Sequence, residues 1–437
     1  HRGATVYGRR WLVFALDEAH KIRTQNASFN ATAGLRSLSE FLIAVTATPI
    51  TTSPKDIFNI GRCIGIPGLM SEQGDEDFIA YNKKLGAAGR LDKKARLKRF
   101  KLEEGGDDDD DDGSDDDERI KPSTTPNIRD FTATHTEETI KFIITDLREK
   151  FTTHVVRRTG ASTDNTGKPL AGIAPAREHI LSLTLFDHEY TYLDSMTEEF
   201  RNEDGSLVKM SSANFYIGTR RALTHQCCDK RCVTRWFDPT TIAEWMKLPS
   251  AKLCALCAIV VHHLQTDNAQ PLHCVDGHDL AVNPNAPITE RPADLPKDRI
   301  VIYSAFPSSS NVIINVLKLY GIEVVEFNGS MTEKAKAQSL ANFKSEEPGT
   351  ARVMLLSNVG TTGLNLDFAN VLIIIDALWS VMEDLQLQGR LKRYPQSKQC
   401  EIYRLIGART ADEVINKLST GKGVIHELFT GAPLAFR

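Results

Sequence analysis

The stretch that decides the fold is Trp11-Leu12-Val13-Phe14-Ala15-Leu16-Asp17-Glu18-Ala19-His20. Its first six residues form an apolar run, and two adjacent carboxylates follow directly. A short apolar run bounded by polar residues is typical of a buried strand in a parallel sheet. The pattern therefore predicts a strand over residues 11–16, with Asp17 and Glu18 at its carboxyl end.

Residues 11–65 continue as a predicted strand, loop, helix, strand, loop and helix. The second apolar run covers residues 41–46. Ser53-Pro54 predicts the start of the second helix, because serine caps free backbone amides and proline suits the first helical position. Gly65 is the predicted end of that helix.

The same alternation returns after Asp298. Strands of this kind, alternating with helices, favour an α/β fold in which helices cover both faces of a parallel sheet. A capping box formed by Ser330 and Glu333 is expected to open one of the helices. Predicted strands cover 300–303, 322–327, 352–356, 371–375 and 401–405. Predicted helices cover 311–319 and 382–392, and the helix opened by the capping box runs to about Lys344.

Three segments separate these two regions. Residues 71–135 contain acidic blocks that repel themselves and bury nothing, so they predict a disordered or surface insertion. The alternative is a tail that mimics DNA or binds histones. Residues 136–250 are predicted to be mainly helical, and 252–264 form a further apolar helical stretch. Residues 266–297 are rich in proline and predict a linker.

Bulk composition restricts the class of protein. The 437 residues suffice for two or three domains, and 41% apolar with 25% charged residues is ordinary for a soluble globular chain. The net charge of -4 does not exclude nucleic acid, because a local field can bind it. The 8 irregularly spaced cysteines predict reduced thiols of an intracellular protein. No apolar run approaches the length of about 18 residues that a membrane span requires, so no membrane partner is expected.

The carboxylates after the first strand suit phosphoryl chemistry. Asp17 can hold magnesium beside a polyphosphate, and Glu18 can orient or deprotonate the attacking water. A bare Asp-Glu pair is common, but the preceding strand and Ala19-His20 favour the catalytic interpretation. Thr46-Ala47-Thr48-Pro49 follows the next strand, and its hydroxyls can bond to the carboxylate motif. A hydrogen-bonded turn before Pro49 is the alternative.

A second motif, Gln386-Leu387-Gln388-Gly389-Arg390-Leu391-Lys392-Arg393, lies far along the chain. Arg390 and Arg393 are three residues apart on a predicted helix and therefore share a face with Gln386. Planar guanidinium groups bind phosphate oxygens at two points and stay charged. A solvated basic face is the alternative that the pattern leaves open.

Two weaker patterns complete the candidates. In the loop at 357–366, Gly360 and Gly363 allow close approach of the backbone to a phosphate, and neighbouring hydroxyls can donate to it. Cys254-x-x-Cys257 with His273, Cys274 and His278 matches zinc-ligand residue types. Buried cysteines on one helix face are the simpler interpretation.

Taken in order, these motifs resemble the Swi/Snf-type, chromatin-remodelling ATPases of helicase superfamily two. The resemblance covers residues 11–65 and about 150–418. It rests on Asp-Glu-Ala-His at 17–20, Thr-Ala-Thr-Pro at 46–49, Arg157-Arg158-Thr159, Ser-Ala-Phe at 304–306, Phe-Asn-Gly-Ser at 327–330, Thr-Gly-Leu-Asn-Leu at 362–366 and Gln-x-x-Gly-Arg-x-x-Arg at 386–393.

The resemblance implies two RecA-like lobes of the P-loop NTPase type, with ATP and Mg²⁺ in the cleft between them. Asp17 would hold Mg²⁺, Glu18 would activate water, and Arg393 would be the arginine finger with Arg390 as companion and Gln386 near the cleft. The other residues implied to contact the nucleotide are His20, Thr46, Thr48, Gly360 and Gly363. The residues implied to contact duplex DNA are Arg157, Arg158, Ser304, Asn328, Gly329, Ser330, Thr361, Thr362 and Asn365.

The resemblance further implies a nuclear, DNA-dependent ATPase that moves along duplex DNA and shifts nucleosomes or displaces DNA-bound proteins, in remodelling or repair. We expect five parts. These are residues 1–70 as the C-terminal half of lobe one, 71–135 as the acidic insertion, 136–250 as a helical region, 251–420 as lobe two and 421–437 as a tail.

Several departures from the family pattern stand beside this expectation. No Gly-x-x-x-x-Gly-Lys-Ser/Thr phosphate loop occurs in the chain, which opens at His1, so we expect a lobe one truncated before that loop. The loop at 357–363 is one residue shorter than the family pattern. Lys392 and Pro395 stand where the family commonly has histidine and glycine, and Ser380-Val381 stand where it has Asn-Pro. The alternatives are a non-catalytic DNA- or chromatin-binding module, or a decayed gene copy.

Overall fold

The computed structural model describes residues 5–46, 49–50, 53–103, 134–156, 158, 162–168, 170, 176–198, 212–232, 238–286, 295–357, 364–378, 381–413 and 415–416. These residues form an α/β region near the start of the chain, a pair of long helices, and a larger α/β region built on a six-stranded sheet. Among them, no helix is both long enough and apolar enough to cross a bilayer.

The first α/β region confirms the predicted element order. Strand β1 (Trp11–Leu16), helix α1 (Ala27–Arg36), strand β2 (Ser39–Ala44) and helix α2 (Pro54–Ile64) follow one another, and the two strands pair in parallel. Helix α2 begins with a capping box between Ser53 and Asp56. It ends at Gly65, whose φ of 89° lies in the left-handed region that glycine tolerates.

The prediction that these two strands are buried is wrong. Leu12 is 71% exposed and Phe41 is 63% exposed. Apolar runs of this kind belong to strands that are covered on both faces. Helices α1 and α2 cover one side only in part, through a small core formed by Ile22, Ile60 and Cys63.

The structure also departs from the expected insertion over residues 72–103. After the short helix α3 (Pro67–Met70), helix α4 (Glu72–Glu103) runs for 32 residues and packs antiparallel to helix α5 (Thr134–Phe151). Phe78, Tyr81 and Leu85 face Ile143 and Leu147 across this pair, so an apolar stripe supports the helix. The acidic blocks at 107–112 and 115–118 lie outside the described residues.

The larger α/β region confirms the predicted parallel sheet. Its strands run in the spatial order β3 (Ala176–Leu183), β10 (Cys400–Gly407), β9 (Val371–Ile374), β6 (Ile300–Tyr303), β8 (Val353–Leu356) and β7 (Val324–Phe327), and every pairing is parallel. In chain order the elements are β3 (Ala176–Leu183), α6 (Asp187–Glu198), α7 (Ser212–Thr224), α8 (Ile242–Trp245), α9 (Ala251–Gln265), β4 (Leu272–Cys274), β5 (Leu280–Val282), β6 (Ile300–Tyr303), α10 (Ser310–Leu319), β7 (Val324–Phe327), α11 (Glu333–Lys344), β8 (Val353–Leu356), β9 (Val371–Ile374), α12 (Val381–Leu391) and β10 (Cys400–Gly407).

Helices cover both faces of this sheet, as the sequence predicts. Alternate residues of β6 point to opposite faces. Ile300 and Ile302 pack with α9 and α10, whereas Val301 and Tyr303 pack with α11 and α12. The mixed α/β fold class is therefore confirmed.

Three local predictions are corrected in this region. Strand β3 lies in the segment predicted to be helical, because its charged residues pair with β10: His179 Nε2 lies 2.8 Å from Glu401 Oε2. The expected linker contains the antiparallel hairpin of β4 and β5. Helix α11 is capped by Thr332, which accepts from the amide of Ala335 at 3.3 Å, and not by Ser330.

A buried charge cluster ties the amino end of β6 to its neighbours. The carboxylate of Asp298 is paired with Lys398, bonds to His263 Nδ1 at 3.1 Å, and accepts from Asn370 Nδ2 at 2.9 Å. Burial by itself raises the pKa of Asp298, but the His263 hydrogen bond and the Lys398 charge outweigh it and lower that pKa to about 2. The charged carboxylate therefore stabilises the folded state.

We predict that Asp298→Asn lowers the free energy of unfolding by about 3–5 kcal/mol at neutral pH, because it leaves Lys398 buried without its charge partner. The stability linked to Asp298 is fully present above its unfolded pKa of about 3.9 and is lost as the pH falls toward the folded value. Urea unfolding at pH 7 and at lower pH checks this. The difference in free energy of unfolding between the wild type and Asp298→Asn should become smaller on acidification. Glu323→Gln, at an exposed position, serves as control. An unchanged stability of Asp298→Asn contradicts the prediction.

Candidate functional site

The carboxylate motif forms a tight turn at the end of β1. The amide of Val45 donates to the carbonyl of Leu16 at 2.8 Å, and the amide of Ala19 donates to the carbonyl of Val45 at 3.0 Å. Glu18 has φ 54° and ψ 48°, and its amide donates to Asp17 Oδ1 at 2.8 Å. A residue other than glycine occupies this left-handed region only when its surroundings fix it there. The end of β2 therefore holds the two carboxylates in a defined position.

His20 connects this turn to the motif that follows β2. Its Nδ1 lies 3.2 Å from Thr46 Oγ1 and 3.2 Å from Glu18 Oε2. The predicted bond between the threonine motif and the carboxylate motif is thus confirmed, with His20 as the bridge. Burial lowers the pKa of His20 from 6.5, and the charge of Glu18 opposes that shift. Thr48 lies outside the described residues.

The predicted arginines lie at the end of α12. Arg390 is in its last turn and is half-buried, whereas Arg393 is exposed in the turn that follows. The prediction that both arginines share one helix is therefore wrong, because the helix ends at Leu391. Gln386 lies one turn before Arg390 on the same helix.

Arg390 and Glu18 interact electrostatically across the gap between the two α/β regions. Burial lowers the pKa of Arg390, the charge of Glu18 opposes this shift, and the charge of Arg393 adds to it. Coulomb interactions weaken with distance, so this coupling indicates that Glu18 and Arg390 lie on facing sides of the same gap. The structure therefore unites residues that the sequence separates by more than 370 positions.

The atoms at this site fit a polyphosphate and its cation. Arg390 Nε is buried and has no hydrogen-bond partner among the residues that the structure describes. An oriented guanidinium of this kind suits a phosphate oxygen. Asp17 would hold Mg²⁺ together with phosphate oxygens, where the cation would neutralise their charge. The candidate contacts Gly360 and Gly363 lie outside the described residues.

Two of the candidate DNA-contacting segments follow neighbouring strands. The turn at 328–330 follows β7, and the loop that reaches Asn365 follows β8. The amide of Ser357 donates to the carbonyl of Phe327 at 3.2 Å, which places the starts of the two segments side by side. Asn328 is buried and accepts from Ser330 Oγ at 2.7 Å, whereas Gly329, Ser330 and Asn365 are exposed.

The remaining candidate DNA-contacting residues differ in how exposed their side chains are. Ser304 is 2% exposed, and its hydroxyl donates to Asp376 Oδ2 at 2.9 Å, which argues against direct contact of this side chain with DNA. Arg158 is exposed. Arg157, Thr361 and Thr362 lie outside the described residues.

The sequence interpretation missed a set of anchors just before α12. Three consecutive residues after β9 are each bound by a side chain from another element. Lys252 Nζ donates to the carbonyl of Ile375 at 2.7 Å, and Arg220 Nη2 donates to the carbonyl of Ala377 at 2.5 Å. Between them Asp376 accepts from Ser304 and from Thr224. The sequence signal that could have revealed these anchors is Asp376, a carboxylate that directly follows an apolar run, as Asp17 does.

Cys254 and Cys257 of the weaker zinc pattern lie on α9, whereas Cys274 ends β4. Cys257 is buried, and burial raises the pKa of its thiol. Within the described ranges, no group of three or more His, Cys, Asp or Glu side chains is arranged to hold a metal ion.

Comparison with known proteins agrees with this geometry. Residues 289–395 match the family model for the helicase conserved C-terminal domain. This span holds strands β6 to β9 together with both arginines of the site. Over this span the chain is similar to helicases, as the resemblance to Swi/Snf-type ATPases of helicase superfamily two implies.

Individual relatives match about a third of the chain. The ATP-dependent helicase fft1 of Schizosaccharomyces pombe is 30% identical over 136 residues, 31% of this chain and 14% of the relative. The DNA repair and recombination protein RDH54 of Saccharomyces cerevisiae is 30% identical over 135 residues, with the same two shares. The human chromodomain-helicase-DNA-binding protein 1 is 29% identical over 131 residues, 30% of this chain and 8% of the relative. The match thus spans about a seventh or less of each relative.

We predict that the imidazole of His20 titrates below 6.5 and that Glu18→Gln lowers its pKa further, because the opposing charge is removed. The stability linked to neutral His20 is present above about 6.5 and is lost as the pH falls through the lower folded value. A side-chain NMR titration measures the pKa of His20 in the wild-type chain and in Glu18→Gln. Glu40→Gln, an exposed carboxylate on β2, is the control. A raised or unchanged midpoint in Glu18→Gln would count against the contact between these side chains.

Proposed function

We propose that this chain carries the hydrolytic and DNA-tracking parts of an ATP-dependent motor that moves along duplex DNA. In this role it shifts nucleosomes or displaces other DNA-bound proteins in the nucleus. The observation that carries the proposal is the electrostatic coupling of Glu18, at the end of β1, to Arg390, at the end of α12, whose buried Nε has no hydrogen-bond partner among the described residues. The names of the matched relatives, an ATP-dependent helicase and proteins of DNA repair and DNA binding, support the same class of activity.

The proposed roles follow from the chemistry of each group. Asp17 holds Mg²⁺, and Glu18 orients or deprotonates the attacking water. Arg390 and Arg393 stabilise charge on the phosphoryl group, and catalysis is mainly positioning and charge stabilisation. Because the arginines and carboxylates belong to different regions, hydrolysis requires the gap between them to close. Closure moves DNA-binding loops of one region relative to the other, which produces the step.

The division into a partial first lobe, an insertion, a helical region and a second lobe stays part of this proposal. The structure changes one boundary, because β3 adds residues 176–183 to the sheet of the second lobe.

A second candidate function is a non-catalytic module that binds DNA or chromatin proteins. It is favoured by the lack of a phosphate-loop motif in the 437 residues. ATP hydrolysis with and without duplex DNA, compared with Glu18→Gln, separates the two functions. DNA-stimulated turnover above that control supports the motor. No turnover, together with salt-sensitive DNA binding, supports the binding module.

For the motor we predict that Arg393→Ala lowers the rate of hydrolysis by about 10³-fold or more while DNA affinity stays unchanged, because a finger acts on the transition state. Steady-state phosphate release and DNA anisotropy are the two measurements. Arg148→Ala, at an exposed position on α5, controls for general loss of positive charge. Equal loss of hydrolysis and DNA binding would remove the finger role from Arg393.

A further inference from the structure

We infer that helix α4 carries a second duplex-DNA contact, on a surface separate from the loops of the six-stranded sheet. We name this surface the α4 stripe and define it as Lys83, Arg90 and Lys94. All three side chains are exposed. The inference rests on the part of the proposed function that makes duplex DNA the partner, and it requires neither nucleotide nor hydrolysis.

The stripe follows from the helical period. Residues spaced by seven and four positions recur on one face of an α-helix. The opposite face of α4 is the packed one, since Phe78, Tyr81 and Leu85 lie against α5. Lys83, Arg90 and Lys94 therefore project away from the rest of the protein along one line.

The charge on this part of α4 is almost entirely positive. Residues 83–101 contain nine lysines and arginines and one acidic residue, Asp92. That carboxylate is already engaged at the start of α5, where it accepts from the amides of His135 at 3.0 Å and Thr136 at 2.9 Å. The carboxylate of Asp92 thus caps the start of α5 and does not neutralise the cations of the stripe.

The cations of the stripe differ from Lys84 and Lys141 in the contacts that they make within the described residues. Within the described residues, Lys83, Arg90 and Lys94 form no ion pair. Lys84 lies instead with its Nζ 4.2 Å from the ring centroid of Phe142, and Lys141 Nζ on α5 lies 2.6 Å from Glu137. Three unpaired cations on one line are available to an external anion.

The partner that fits is the phosphate backbone of a duplex. With a rise of about 1.5 Å per residue, the stripe spaces its cations by about 10 and 6 Å. These intervals are comparable to the widths of the major groove, about 12 Å, and the minor groove, about 6 Å. Protein interfaces are enriched in aromatic residues and depleted in lysine at their centre, whereas lysine and arginine are the usual phosphate ligands. The contact is therefore independent of base sequence.

The test uses the full chain and a fluorescent 30-base-pair duplex, with anisotropy measured over a series of salt concentrations. Lys83→Gln/Arg90→Gln should weaken binding by about 10-fold or more near 100 mM salt and reduce the salt slope by about 1.8, and adding Lys94→Gln should reduce it by about 0.9 more. Glutamine is a good helix former, so α4 should remain folded, and circular dichroism verifies this.

The matched control is Lys141→Gln/Arg148→Gln. These residues have the same seven-residue spacing on α5, the other helix of the pair, and they should leave affinity and salt slope unchanged. Equal losses in the two double variants, or no loss in the α4 variants, would overturn the inference.

A variant in the loop after β8, Asn365→Asp, distinguishes failure of the α4 contact from failure of the proposed function. If Asn365→Asp weakens binding while the α4 variants do not, duplex DNA remains the partner and only the α4 contact is rejected. If the wild-type chain does not bind the duplex, both the α4 contact and the DNA-tracking function are rejected.

Discussion

The arrangement of the site depends on the anchoring of three consecutive residues after β9. The carbonyl of Ile375, the carboxylate of Asp376 and the carbonyl of Ala377 are each bound by a buried side chain from α9, from the end of β6 and from α7. Lys252 is itself fully buried and pairs with Asp412 at 2.5 Å, which ties the same point to the end of β10. A buried charge without its partner is costly, so each of these bonds strongly favours one position of the chain. The helix that carries Arg390 starts four residues further on.

A second, smaller set of bonds fixes the opposing carboxylates. The left-handed backbone of Glu18 is maintained by amide bonds to the end of β2 and by the contact of His20 with Thr46. Both sets lie at carboxyl ends of parallel strands, the part of an α/β sheet where ligands commonly bind. The candidate site therefore has two fixed parts, the turn at Glu18 and the segment after β9 that leads into α12. Its proposed chemistry depends on the distance between these two parts. The α4 stripe lies apart from both ends and binds by charge alone.

Much of the larger α/β region could be predicted from its sequence. Strands β6, β8 and β9 are uninterrupted apolar runs, and helices α10 and α12 have clear stripes, so local pattern and buried environment agree. Strand β3 could not be recognised, because its charged residues His179 and Glu178 pair with Glu401 and Arg404 of β10, more than 200 residues away. The long helix α4 was obscured by the acidic blocks beyond it. The exposure of Leu12 and Phe41 on β1 and β2 could not be predicted, since burial depends on which elements cover a sheet.

The sequence by itself determined which side-chain chemistry is available to the candidate site. The residue types at 17–20 and 386–393, and their position after predicted strands and on a predicted helix, indicate phosphate and magnesium ligands because those roles depend on side-chain chemistry and local backbone. Only the tertiary structure decided which of these residues meet. The coupling of Glu18 to Arg390, the burial of Ser304 against Asp376 and the outward line of the α4 stripe all depend on how distant elements pack. Packing is a property of the whole chain, and no local pattern encodes it.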